Sequence, residues 1–157
     1  MKREKVISIL HYYRDIPKNI KLNERVIKNL EDQYYNTLGG MKMDGMPRAK
    51  GGTSSPVENV VLNVPRSVVK TIEEIRRDNA RMEQIRGEIL SELNRLAFSE
   101  KAVVLGFYIN GQQWEQISEQ VNYSPRQCRN IRAAALDHLA ERFARNKAIS
   151  RYQFPRK

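Results

Sequence analysis

Between Val68 and Leu96 the chain places Val68, Ile72, Ile75, Asn79, Met82, Arg86, Ile89, Leu93 and Leu96 in alternating steps of four and three. An α-helix gathers such positions onto one face, whereas a strand repeats every second residue. The spacing therefore predicts one long helix, opened by Pro65 and reaching about Ala97. Asn79 and Arg86 interrupt its apolar seam. A buried Asn at such a position lowers stability but fixes register and partner number. Two readings stay open: the seam packs within its own chain, for example on 22–35, or it joins two copies. In the second case Ile72, Ile75, Met82, Ile89 and Leu93 would hold a homodimer along the 66–97 helix.

The remaining segments are compatible with an all-α protein. Val6, Ile7, Ile9, Leu10 and Tyr13 predict a short helix over 3–14 that ends before Pro17. Leu22, Val26, Ile27, Leu30 and Tyr34 form one face of a second helix over 22–35. Five of the eight glycines, with Pro47 and Pro56, fall between Thr37 and Pro56, which predicts a loop or linker. Within it Lys50-Gly51-Gly52-Thr53-Ser54 lacks the order of a phosphate-binding loop, and no strand pattern precedes it. The expected organisation is a helical segment (1–36), a linker (37–57), a long central helix (58–98) and a C-terminal domain (99–157).

Composition narrows the chemistry. The chain has 157 residues, 40% of them hydrophobic, enough for one ordinary domain or two very small ones. Cys128 is the single cysteine, so no internal disulfide can form and no cysteine zinc cluster is available. His11 and His138 are the only histidines, and neither has a partner at metal or triad spacing. No cofactor and no enzymatic activity are expected. No apolar run approaches the ~18–20 residues of a membrane span, and the basic start lacks the features of a secretory signal. A cytoplasmic protein without membrane contact is the expectation. The net charge of +10 is uneven: residues 124–157 carry nine basic side chains against Asp137 and Glu141. Such a concentration is the electrostatic footprint of a polyanion-binding surface.

Residues 99–143 give that charge a framework. Ser99 followed by Ala102, Val103, Val104, Leu105, Phe107 and Tyr108 predicts a capped, buried helix stopped by Asn110-Gly111. Trp114, Ile117, Ser118 and Val121 mark the buried face of a two-turn helix. Asn122-Tyr123 is a break, Asn being tolerant of the left-handed backbone of a tight turn. Ser124-Pro125-Arg126-Gln127 then starts a new helix, with a cap, a proline at the first helical position and Gln three residues after the Ser. That helix buries Cys128, Ile131, Ala135, Leu136, Leu139 and Phe143.

Two short helices around a tight turn, the second basic, form a helix-turn-helix, whose second helix enters the DNA major groove by its N-terminal part. At ~100° per residue, Arg126, Asn130 and Ala133 lie opposite the buried face, with Gln127 and Arg129 on the flanks. Arg can hold guanine O6 and N7, Asn or Gln can hold adenine N6 and N7, and Ala can touch a thymine methyl. Those five residues are the expected base readers. Ser124, Arg142, Arg145 and Lys147 are the expected phosphate contacts, which position without specifying. Arg132 lies nearer the core face and is expected to snorkel or to form an ion pair. Cys128 is expected to be a small core residue.

Three stretches resemble region 4 of bacterial sigma factors: Ser99 to Tyr108, Trp114-Glu115-Gln116-Ile117-Ser118, and Ser124-Pro125-Arg126-Gln127-Cys128-Arg129-Asn130-Ile131. Ala134-Ala135-Leu136-Asp137-His138-Leu139 is similar to the family's closing A-L-x-x-L stretch. Asn122 stands where that family usually has Gly, and Cys128 where Val or Ile is usual. No counterpart of sigma region 2 precedes the segment. Tyr34-Tyr35-Asn36-Thr37, Met43-Asp44-Gly45-Met46-Pro47-Arg48 and Gly52-Thr53-Ser54-Ser55-Pro56-Val57-Glu58, followed by a long helix, resemble small phage regulators of the RinA/ArpU-like type. The resemblance implies a phage or prophage transcriptional activator of late or packaging genes. It would bind double-stranded promoter DNA, with bacterial RNA polymerase as a further partner. The alternative is a small terminase-type DNA-packaging subunit, which also sets a helix-turn-helix beside an oligomerising segment.

Overall fold

A computed structural model describes residues 1–39 and 64–155, the side chains of 35–39 excepted. Among the described residues the protein is all-α, with no strand. The helices are α1 (Arg3–Gly39), α2 (Arg66–Asn94), α3 (Phe98–Val104), α4 (Trp114–Val121), α5 (Pro125–Arg145) and α6 (Lys147–Arg151). A π-helical turn, Leu105–Ile109, continues α3 and ends at Asn110, before Gly111 in the left-handed region at φ 63°. The expected 37–57 linker lies outside the described residues from Gly40 onward, and its first three residues close α1.

The break expected before Pro17 is absent. Pro17 sits inside α1, and a single 37-residue helix replaces the two that were expected. An interior proline loses one backbone hydrogen bond and costs about 3 kcal/mol. Pro17 itself is exposed, while Ile16 before it and Ile27 beyond it are buried. Burying one such side chain contributes about 1.5–3 kcal/mol, so packing on either side outweighs the proline.

The chain divides into two compact units, and not at the boundaries expected from the sequence. One comprises Met1–Lys18 with Arg81–Lys157, the other Asn19–Ala80. In the first, Val6, Ile9, Leu10, Tyr13 and Ile16 of α1 are buried, as are Met82, Ile85, Ile89 and Leu93 of α2. Val103, Val104, Ile117, Leu139, Phe143 and Ile149 complete its core. The compact unit that holds residues 99–157 also takes in Met1–Lys18 and the chain from Arg81 onward. Glu92, only 5% exposed, accepts from Asn146 Nδ2 at 3.1 Å and lies 3.4 Å from Arg95. Asn146 in turn caps α6, its Oδ1 accepting from the backbone N–H groups of Ala148 and Ile149.

In the second unit the first half of α2 packs along α1. Asn23 Nδ2 donates to Asn79 Oδ1 at 2.7 Å, and Arg76 lies 3.2 Å from Glu31. Val68, Ile72, Ile75 and Asn79 are half-buried. The heptad seam thus faces its own chain. Met82, Ile89 and Leu93, three of the five side chains expected to hold a second copy, are core residues. Asn79 still fixes a register, that of α2 against α1.

Candidate nucleic-acid interface

The local signals around residue 122 shape the α4–α5 junction as their chemistry demands. Helix α4 ends at Val121, and Asn122 takes the left-handed conformation (φ 56°, ψ 36°). The turn occupies Asn122, Tyr123 and Ser124 alone, because α5 begins at Pro125. Ser124 Oγ accepts from the Gln127 N–H at 3.2 Å, and Pro125 supplies a first position that needs no donor. Ser118 Oγ donates to the Tyr123 carbonyl, tying the turn back onto α4. Beneath it Cys128 is fully buried, with Sγ 3.7 Å from the same carbonyl, and burial pushes its thiol up. Cys128 is a core residue.

The start of α4 carries a reciprocal bond not expected there: the Gln113 N–H donates to Gln116 Oε1 at 2.9 Å. Ser99 caps nothing, since α3 begins one residue earlier with Ala97 at its cap position.

The expected base readers occupy the first turns of α5. Arg126, Gln127, Arg129 and Asn130 are exposed and Ala133 is half-buried. Asn130 Nδ2 lies 3.4 Å from Gln127 Oε1, so these two amides form a weak pair on the surface. Arg129 packs its guanidinium 5.6 Å from the centroid of the Trp114 ring.

The expected phosphate contacts divide. Ser124 is the helix cap, its oxygen engaged by the backbone. Arg142 is half-buried, donates to the Arg95 carbonyl at 3.4 Å and lies 3.9 Å from buried Glu92. It ties α5 to the end of α2. Arg145 remains largely exposed but lies 3.5 Å from Glu141 one turn back. Lys147, at the start of α6, is exposed and forms no ion pair among the described residues.

A pattern emerges along α5. In its second half Asp137 pairs with Arg3, His138 with Glu100 at 2.7 Å, Glu141 with Arg145, and Arg142 with Glu92. In its first half Arg126, Arg129 and Arg132 have no acidic partner among the described residues. The Arg3 pair is bidentate and joins residues 134 apart, which nothing local in the sequence signals. It holds the Asp137 carboxyl below the usual range, first through the hydrogen bond from Arg3.

Arg132 is half-buried and forms no ion pair among the described residues. Its guanidinium lies 5.0 Å from the Phe107 centroid and 5.3 Å from that of Trp114. Phe107 and Trp114 are themselves stacked, 4.6 Å apart and inclined by 21°. Next to Phe107, burial raises the Tyr108 phenol above its ordinary range, with Arg132 acting in the opposite sense. The signal available beforehand was the coincidence of two aromatics and an arginine, which a reading by apolar periodicity assigns to the core.

Among the described residues no group of three or more His, Cys, Asp or Glu could hold a metal ion, and no helix is long and apolar enough to cross a membrane. Comparison with protein-family models, with curated proteins and with solved structures finds no match to this chain.

Proposed function

We propose that this chain is a sequence-specific DNA-binding regulator of transcription whose reading element is the N-terminal half of α5. The observation that carries the reading is the distribution of unpaired charge. Among the described residues Arg126, Arg129 and Arg132 stand without acidic partners beside exposed Gln127 and Asn130, whereas the later charges of α5 are consumed in ion pairs. A capped helix start after a three-residue turn is the part of a helix-turn-helix that enters the major groove. In this reading Arg126, Asn130 and Ala133 face base edges, Gln127 and Arg129 flank them, and Lys147 and Arg145 supply charge farther along. The resemblance of its sequence to RinA/ArpU-like regulators supports a phage or prophage activator of late or packaging genes. Bacterial RNA polymerase would be its partner at the promoter, and it would need no cofactor and catalyse no reaction.

Anisotropy titration of a labelled duplex with the full chain tests the reading. Binding should weaken steeply with salt, log K falling by roughly 0.9 per phosphate neutralised for each unit of log salt. Absence of duplex binding at low salt refutes it. Run-off transcription with bacterial polymerase then tests activation, and assembly of the chain into a closed ring on DNA would instead favour the packaging subunit.

A further inference from the structure

Arg129 and Arg132 share one aromatic support. Their guanidinium carbons lie 5.6 and 5.3 Å from the Trp114 ring centroid, and Phe107 stacks on that ring while lying 5.0 Å from Arg132. Two like charges are thereby held in one neighbourhood, and among the described residues neither has an acidic partner. Aromatic faces attract a cation but accept few of the five N–H donors a guanidinium carries. Arg132 Nε is buried with no hydrogen-bond partner. The cluster therefore lacks two things at once, negative charge and acceptor oxygens.

Its position selects what could supply them. At ~100° per residue, Arg132 lies roughly 140° round α5 from the line of Arg126 and Asn130, too far to reach the same base edges. It lies instead on the flank beside Trp114, the first residue of α4. When the second helix of such a pair lies in the groove, the first crosses the sugar–phosphate backbone. A phosphodiester there brings charge and acceptors in the planar fork geometry that guanidinium matches.

We propose that Arg132 and Arg129, supported on the Phe107–Trp114 stack, form a binding site for a backbone phosphate of duplex DNA. The site rests on the DNA-binding reading of α5. It makes Arg132 a DNA contact and gives Arg129 a phosphate beside its place on the reading flank. Trp114 and Phe107 act as positioning residues that hold both guanidiniums before DNA arrives.

The test uses the full chain and two labelled duplexes, one carrying a sequence selected by the protein and one of random sequence, over a series of salt concentrations. Arg132→Gln should weaken both by the same factor and reduce the slope of log K against log salt by about 1. Arg132→Lys should restore the slope. Arg129→Gln, at an exposed position that leaves the core untouched, should lower the slope as well. A lowered melting temperature in Arg132→Gln with an unchanged slope would make the residue purely structural and overturn the proposal. So would weakening confined to the selected duplex. If the unmodified protein binds neither duplex, the functional reading itself falls, and the site with it; if it binds with its preference intact and the variants match it, the site alone falls.

Discussion

Asn122 adopts a backbone conformation that costs most side chains about 1–2 kcal/mol and that Gly enters freely. Asn122→Val should therefore destabilise the protein by about that amount in urea denaturation, while Asn122→Gly should be close to neutral. Two residues on, Ser124 satisfies one orphan N–H of α5, so Ser124→Ala should cost about 1 kcal/mol. Both changes act on the turn and the helix start that carry Arg126 and Asn130. Asp137 sets an acid-side dependence. Its carboxyl is held below the ordinary 3.8 by Arg3, so the folded state binds that proton less readily than the unfolded chain. The contribution is present above about 3.8 and disappears as pH falls through the lower folded value. Because the pair is exposed the effect is small. Thermal melts of Asp137→Asn should parallel the parent curve below that window and fall slightly beneath it above.

At the scale of the helices, the seam of α2 and the run of α1 show how far periodicity carries. The heptad spacing from Val68 to Leu96 located α2 to within a few residues, because a 3.5-residue period has one structural solution. It could not say whether the facing surface belonged to the same chain, since core and dimer seams have the same composition. The turn around Asn122 and the start at Pro125 were legible because their chemistry is local. Pro17 misled for the converse reason: a local cost was outweighed by burial of Ile16 and Ile27 in the core on either side of it. Burial also makes Leu93 a test. Leu93→Ala should cost about 2–5 kcal/mol in denaturant midpoint while the sedimentation coefficient of the folded protein stays unchanged. A dimer held by the seam would dissociate instead.

Over the whole chain, the compact units divide elsewhere than the boundaries expected from the sequence. The first half of α1 and the second half of α2 supply buried Ile9, Leu10, Ile16, Ile89 and Leu93 to the same unit as α3–α6. A fragment of residues 99–157 lacks them all and should remain largely unfolded by circular dichroism, although it carries the basic block. Net charge was equally incomplete as a guide. It singled out residues 124–157 as a block, but Arg142 and Arg145 are engaged with Glu92 and Glu141, and the arginines with no acidic partner among the described residues cluster at the opposite end of α5. Such pairing depends on which carboxylates the fold brings near, and no count of residues contains it. The central claim is that Arg126 and Asn130 read base edges from the start of α5. Selection of bound duplexes from a randomised library, with the full chain and with Arg126→Ala and Asn130→Ala, tests it most directly. The parent should enrich one motif, and each variant should lose discrimination at a single position by about 1–3 kcal/mol with the rest of the motif intact. Enrichment of no motif by the parent, or an even loss across all positions in both variants, would contradict the account.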